Sequence, residues 1–131
     1  MIHRTRLIRD QRGASALEFA LAAPVLILVL IGIAQLGTLY SANAGLQQAV
    51  DEGARLATLY PRPTDSSITT MVNQKQFSLN PTYITGPNLT HGTSNGVSYV
   101  DITMSYAVPL DFIVFRAPAV TLHQTRRAYQ P

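Results

Sequence analysis

From Phe19 to Ile33 no side chain is polar, and between Glu18 and Asp51 none is charged. Crossing a bilayer takes about 20 predominantly apolar residues. Leu17 to about Tyr40 supplies them, with Gln35 and Thr38 at the far interface. Beyond that the pattern becomes one-sided. Leu36, Leu39, Tyr40, Leu46, Val50 and Ala57 recur at helical spacing, while Gln47, Gln48, Asp51, Glu52 and Arg55 gather on other faces, as an amphipathic helix requires. Pro61 and Pro63 stop it. The spacing predicts one helix from Ala14 to about Leu59, in lipid over residues 14–40 and in water over 41–60.

Residues 61–131 read as a small α+β domain. Asp65 or Ser66 is expected to cap a short helix with Ile68, Met71 and Val72 on one face. A loop rich in Pro, Asn, Gly and Thr is expected from Asn80 to Gly96. Then "VSYVDITMSYAV" alternates: Val100, Ile102, Met104, Tyr106 and Val108 on one side, Asp101, Thr103 and Ser105 on the other. That is a half-buried strand. "AVTLHQT" from Ala119 reads as its partner, with "FIVF" and "TYIT" as weaker strands. About 70 residues bury little core alone, so the sheet is expected to pack on the water-exposed half of the long helix. Tyr99 and Tyr106 fall on opposite sides of the strand unless a bulge near Val100 shifts the register.

Composition and charge sharpen this picture. The chain has 131 residues, 47% of them hydrophobic and 13% charged, against about 25% charged in soluble domains. Residues 1–13 hold Arg4, Arg6, Arg9 and Arg12 against Asp10, which accounts for the whole net charge of +3; the later basic and acidic residues cancel. The basicity therefore belongs to a leader rather than to a binding face, which argues against nucleic acid. Arginines before the apolar run keep the leader in the cytoplasm by the positive-inside rule and send the C-terminal domain outside. With no cysteine, disulfides and thiolate chemistry are excluded. His3, His91 and His123 lack metal-ligand spacing, so neither a metal nor a cofactor is expected.

One residue breaks the apolar pattern. Glu18 stands at the mouth of the run, and an ionisable side chain at membrane depth is costly and usually functional. Written out, the stretch is a basic leader ending in Gly13, then Ala14, Ser15, Ala16, Leu17, then Glu18, then "FALAAPVLILVLIG". This resembles the type IV prepilin signal. Within that class it is similar to the TadE-like pilus-assembly proteins of the Flp/Tad system, the likeness continuing through "GLQQAVDEGARLATL" with its Gly53-Ala54-Arg55 and covering roughly residues 12–59. The resemblance implies a minor pseudopilin of a bacterial type IV pilus, a non-enzymatic inner-membrane protein. Its partners would be a prepilin peptidase, other pilin-like subunits and the assembly platform. The peptidase would cut between Gly13 and Ala14. Glu18, the fifth residue of the product, would pair with the freed amine, its own or a neighbour's. Pro24 inside the apolar helix removes one backbone bond and is expected to bend it, and pilin-like helices tolerate such a proline. Ala20, Ala22, Ala23, Gly32 and Ala34 would allow close helix contact, or serve as filler.

Other readings compete. Ser15 to Glu18 is also S-x-x-E, a capping box that merely starts a helix. The whole protein would alternatively be an uncleaved single-pass anchor presenting its domain to envelope partners. "GTSNG" (Gly92 to Gly96) matches the nucleophile elbow of hydrolases, but that motif needs a strand before it and a helix after it. Asn95-Gly96 reads instead as a turn entering the strand. Asn88-Leu89-Thr90 matches a glycosylation sequon of no consequence in a bacterial host. Glu52 and Arg55 read as a solvated i, i+3 pair worth some tenths of a kcal/mol.

Overall fold

The computed structural model describes residues 11–112 and 116–131, and of Gln11, Arg12, Asp111 and Arg116 the backbone alone. Most of the basic leader and most of "FIVF" lie outside those residues. The chain forms helix α1 (Gln11–Ala57), helix α2 (Asp65–Gln74), a short 3-10 turn (Pro81–Tyr83) and strands β1 (Ile84–Ser94), β2 (Val97–Asp111) and β3 (Arg116–Tyr129). It divides into two bodies, one ending at Gln35 and one spanning Leu36–Pro131.

In the first body α1 is helical from the first described residue, Gln11, rather than from Ala14, so Gly13 and Ala14 lie inside it. The helix also continues through Pro24, which has no N–H to give the carbonyl of Ala20. Leu17, Phe19, Leu21, Val25, Leu26, Ile27, Val29, Leu30 and Ile33 are all exposed, and they cover the whole circumference. A helix apolar all round belongs in a core or in a membrane. This one is long and apolar enough to cross a bilayer, and none of that stretch is buried within the chain.

The second body has a core. Ala42, Leu46, Ala49, Val50 and Ala57 of α1 are buried against Ile68 and Val72 of α2 and against Val100, Ile102, Met104, Tyr106 and Val108 of β2. The alternation of β2 appears as the sequence predicts. The apolar stripe of α1 is narrower than predicted: Leu36 and Tyr40 are exposed, Leu36 because the core covers the helix only from about Leu39 onward and Tyr40 because it is off the face that carries Leu39, Ala42 and Leu46. Two glycines let the layers approach. A Cβ on Gly45 would collide with the Phe77 carbonyl oxygen, and one on Gly53 with a methyl of Val72.

α1 ends at Ala57, two residues short of the expected boundary. Thr58 and Leu59 turn back onto the carbonyls of Arg55 and Leu56. The cap of α2 is Thr64, one residue before the expected Asp65, and its Oγ1 accepts from the Ser67 N–H. Asp65 occupies the first turn instead, where an acid suits the helix dipole.

The three strands form an antiparallel meander in the order β1-β2-β3. The expected loop from Asn80 to Gly96 is in fact the 3-10 turn followed by β1. Its pairing with β2 skips between Thr85 and Asn88, at Gly86-Pro87. An edge strand with a bulge is where a sheet accommodates proline. β3 is also longer than "AVTLHQT" at both ends. Asn95 (φ 52°) and Gly96 (φ 80°) join β1 to β2 as a two-residue hairpin turn, the expected turn.

Candidate processing and assembly site

Gly13, Ala14, Ser15, Ala16, Leu17 and Glu18 are all exposed, on consecutive positions of α1. A Cβ built on Gly13 meets no atom within 4 Å, so among the described residues nothing packs on that position. Glu18 has no ion-pair partner among the described residues. Ser15 lies within the helix, where the backbone is already helical on its N-terminal side. It is therefore not an N-cap of the intact chain, and the capping-box reading of Ser15 and Glu18 does not describe this structure.

Ala14 and Glu18 stand four residues apart on one helix face, where side chains at i and i+4 have Cβ atoms about 5–6 Å apart. In a chain that starts at Ala14, the first four N–H groups would lack helical acceptors. Glu18 would then lie next to a positive helix end carrying a free amine. Among the described residues, which begin at Gln11, the first turn of α1 holds no acid. The position of Glu18 thus suits a helix beginning at Ala14.

The remaining ionic groups hold the second body together. On β3, Arg126 donates to Asp51 of α1, and Gln124 Nε2 to Asn43 Oδ1 at 3.1 Å. Glu52 and Arg55 pair at 2.9 Å as the spacing predicts. The outer sheet face is a ladder of cross-strand partners. Arg127 donates both Nε and Nη2 to the Asp101 carboxylate, at 2.8 and 2.7 Å. Its guanidinium lies 3.8 Å from the centre of the Tyr99 ring, which meets Tyr129 edge-on. The hydrogen bond from Arg127 holds the Asp101 carboxyl below its ordinary range, partial burial opposing it, and the carboxylate raises Arg127 in turn. Tyr106 is buried on the opposite face, with the β2–β3 register continuous from Tyr99 to Val108.

Ser94, His91 and His123 have the following surroundings. Ser94 ends β1 and is followed by a hairpin turn and a second strand, not by a helix. His91 Nε2 lies 2.9 Å from Asp65 Oδ2 at the start of α2, and His123 Nδ1 lies 2.7 Å from Ser105 Oγ on the outer face. No group of three His, Asp or Glu side chains among the described residues is placed to hold a metal ion. Gln130 was not singled out from the sequence. It is 4% exposed, and neither side-chain amide atom has a partner among the described residues. Its signal is absent from any motif, because burial there depends on β3 running to Tyr129.

Residues 13–55 match the family described as TadE-like protein. The matched stretch begins at Gly13, contains Glu18, and ends at Arg55 of the "GAR" triplet. It is a match to the long helix, with α2 and the sheet beyond it. No match was found among curated proteins or among solved structures.

Proposed function

We propose that this chain is a minor pseudopilin of a Tad-type pilus, anchored in the bacterial inner membrane by α1, with its leader cytoplasmic and its α+β domain outside. A prepilin peptidase removes the leader after Gly13, and the product acts through helix–helix contact with other pilin-like subunits rather than as an enzyme. The observation that carries this reading is the placement of Glu18: exposed, without an ion-pair partner among the described residues, and one helical turn past Ala14. Cutting creates an ammonium at Ala14. A carboxylate and an ammonium at the membrane edge each cost desolvation, and pairing offsets it. When the amine belongs to a neighbouring subunit, the same pair sets the register between the two helices.

Gly13 contributes through the backbone. A peptidase must open the helix across the bond it cuts, and glycine within a helix is less favourable than alanine by about 0.8–1.0 kcal/mol. Opening is therefore easiest at the proposed bond. The small residues Ala20 and Ala22, both exposed, allow close packing once subunits leave the lipid.

The test is Glu18→Gln, which keeps size and polarity but removes the charge. Processing and membrane insertion should persist while pilus assembly fails, as it should with Glu18→Ala. Breaking a buried ion pair costs about 3–5 kcal/mol. Wild-type assembly by Glu18→Gln would refute the pairing.

A further inference from the structure

We infer that the loop between α2 and the 3-10 turn, residues 75–80, rests on the lipid surface, with Phe77 inserted among the headgroups as a second contact beside α1. This rests on the reading of α1 as a membrane span. The first observation is that Phe77 is 67% exposed although the loop that carries it is fixed on both sides. Lys75 caps α2, its N–H donating to the carbonyls of Met71 and Val72. Leu79 packs against the core, and the Asn80 N–H reaches Tyr106 Oη at 3.4 Å. The Phe77 carbonyl presses on Gly45, where no side chain would fit.

The second observation is strain. Ser78 has φ 59°, a left-handed conformation uncommon for a residue other than glycine. Its Oγ is held by Ser41 Oγ of α1 at 2.8 Å. A soluble domain gains nothing by straining a loop to hold a phenyl ring in water, since burying such a ring is worth about 1.5–3 kcal/mol. Conformational cost of this kind persists where the surroundings fix it, often at contact sites.

The third is level. The apolar span that begins at Leu17 reaches its far interface between Gln35 and Tyr40. Ser41 lies about 2–9 Å further along the helix axis, at about 1.5 Å per residue. Headgroups occupy about 5–8 Å on each side of the hydrocarbon, so the Ser41–Ser78 contact falls at the headgroup layer. Tyr40, 73% exposed, marks the same level on α1, and aromatic side chains gather at that depth. Lys75, two residues before Phe77 and exposed, adds a cation suited to lipid phosphate. The occupant is therefore the bilayer itself, contiguous with the apolar run that ends at this point of the chain.

The chain contains no tryptophan, so a single replacement supplies a unique fluorescent reporter. Three full-length variants are reconstituted in phosphatidylglycerol and phosphatidylcholine vesicles containing lipids brominated at defined acyl positions. Val25→Trp reports the span, and Phe77→Trp the loop. Tyr60→Trp, at a position 87% exposed and past the end of α1, serves as the aqueous control. Bromine high on the acyl chain should quench Phe77→Trp about twofold or more, as expected for a ring at the interface, with deeper bromine less effective. Tyr60→Trp should be unaffected, and Val25→Trp should respond most to deep bromine. Quenching of Val25→Trp without quenching of Phe77→Trp overturns the loop contact and leaves the span standing. An indole at Phe77→Trp that is shielded from aqueous acrylamide yet indifferent to bromine means that protein covers the loop, and overturns it too. Absence of quenching at Val25→Trp removes the span and the inference together.

Discussion

A methyl group at Gly45 has nowhere to go, because its neighbour is the backbone carbonyl of Phe77. At Gly53 the neighbours are the methyls of Val72 and Ile102, which have some freedom to yield. Gly45→Ala should therefore destabilise the domain by about 1–3 kcal/mol, as overpacking does, and Gly53→Ala by less. Urea unfolding of the full chain in detergent reads both, and equal costs would contradict the distinction between backbone and side-chain neighbours. Asp101 makes a pH prediction. Arg127 lowers its carboxyl in the folded chain, so the pair stabilises at neutral pH. That contribution fades as pH falls below the ordinary aspartate value of about 3.9 and through the lower folded one. Asp101→Asn should lower stability modestly at neutral pH and flatten the acid limb of the unfolding midpoint against pH. An unchanged acid limb would mean that this exposed pair contributes nothing.

At the scale of elements, β2 carries the sheet. Ile102 and Met104 are fully buried between the helices and the strand's neighbours. Ile102→Ala should cost about 2–5 kcal/mol, whereas Thr103→Ala, one residue on and on the outer face, should cost well under half of that; chemical denaturation compares them. This strand was legible because both of its signals agreed, period-2 alternation and β-branched residues. β1 was not. Its first residues, Ile84 and Thr85, fell in the weaker candidate "TYIT", but Gly86, Pro87, Asn88 and Gly92 are residues of turns, and they hid the rest of a strand whose pairing is interrupted at Gly86-Pro87. Its place at the sheet edge made those residues tolerable, and edge position is a property of the fold rather than of a local window. The start of α2 shows the limit at finer grain. Thr64, Asp65, Ser66 and Ser67 are all capping residues, and only the backbone decides that Thr64 is the cap. At the candidate site Gly13, Ala14 and Glu18 were singled out through the resemblance to the prepilin signal, and the structure places all three exposed on α1. The capping box at Ser15 was misleading because a motif does not show whether the helix has already begun.

For the whole molecule, the division of charge implies the topology. The net charge sits before the apolar run, so the domain from about Tyr40 onward should lie outside the cytoplasm. A phosphatase reporter should be joined beyond Pro131, because Gln130 is buried, and it should be active there. Activity of a cytoplasmic reporter at the same place would reverse the orientation. The central claim is that α1 works as a helix that begins at Ala14, with Glu18 as its fifth residue. The intact mass of the protein purified from pilus-forming cells tests this directly. The mass should correspond to a chain lacking Met1 to Gly13, and Gly13→Leu should restore the missing residues while assembly is lost. A native chain that retains its leader while pili form normally would contradict the account.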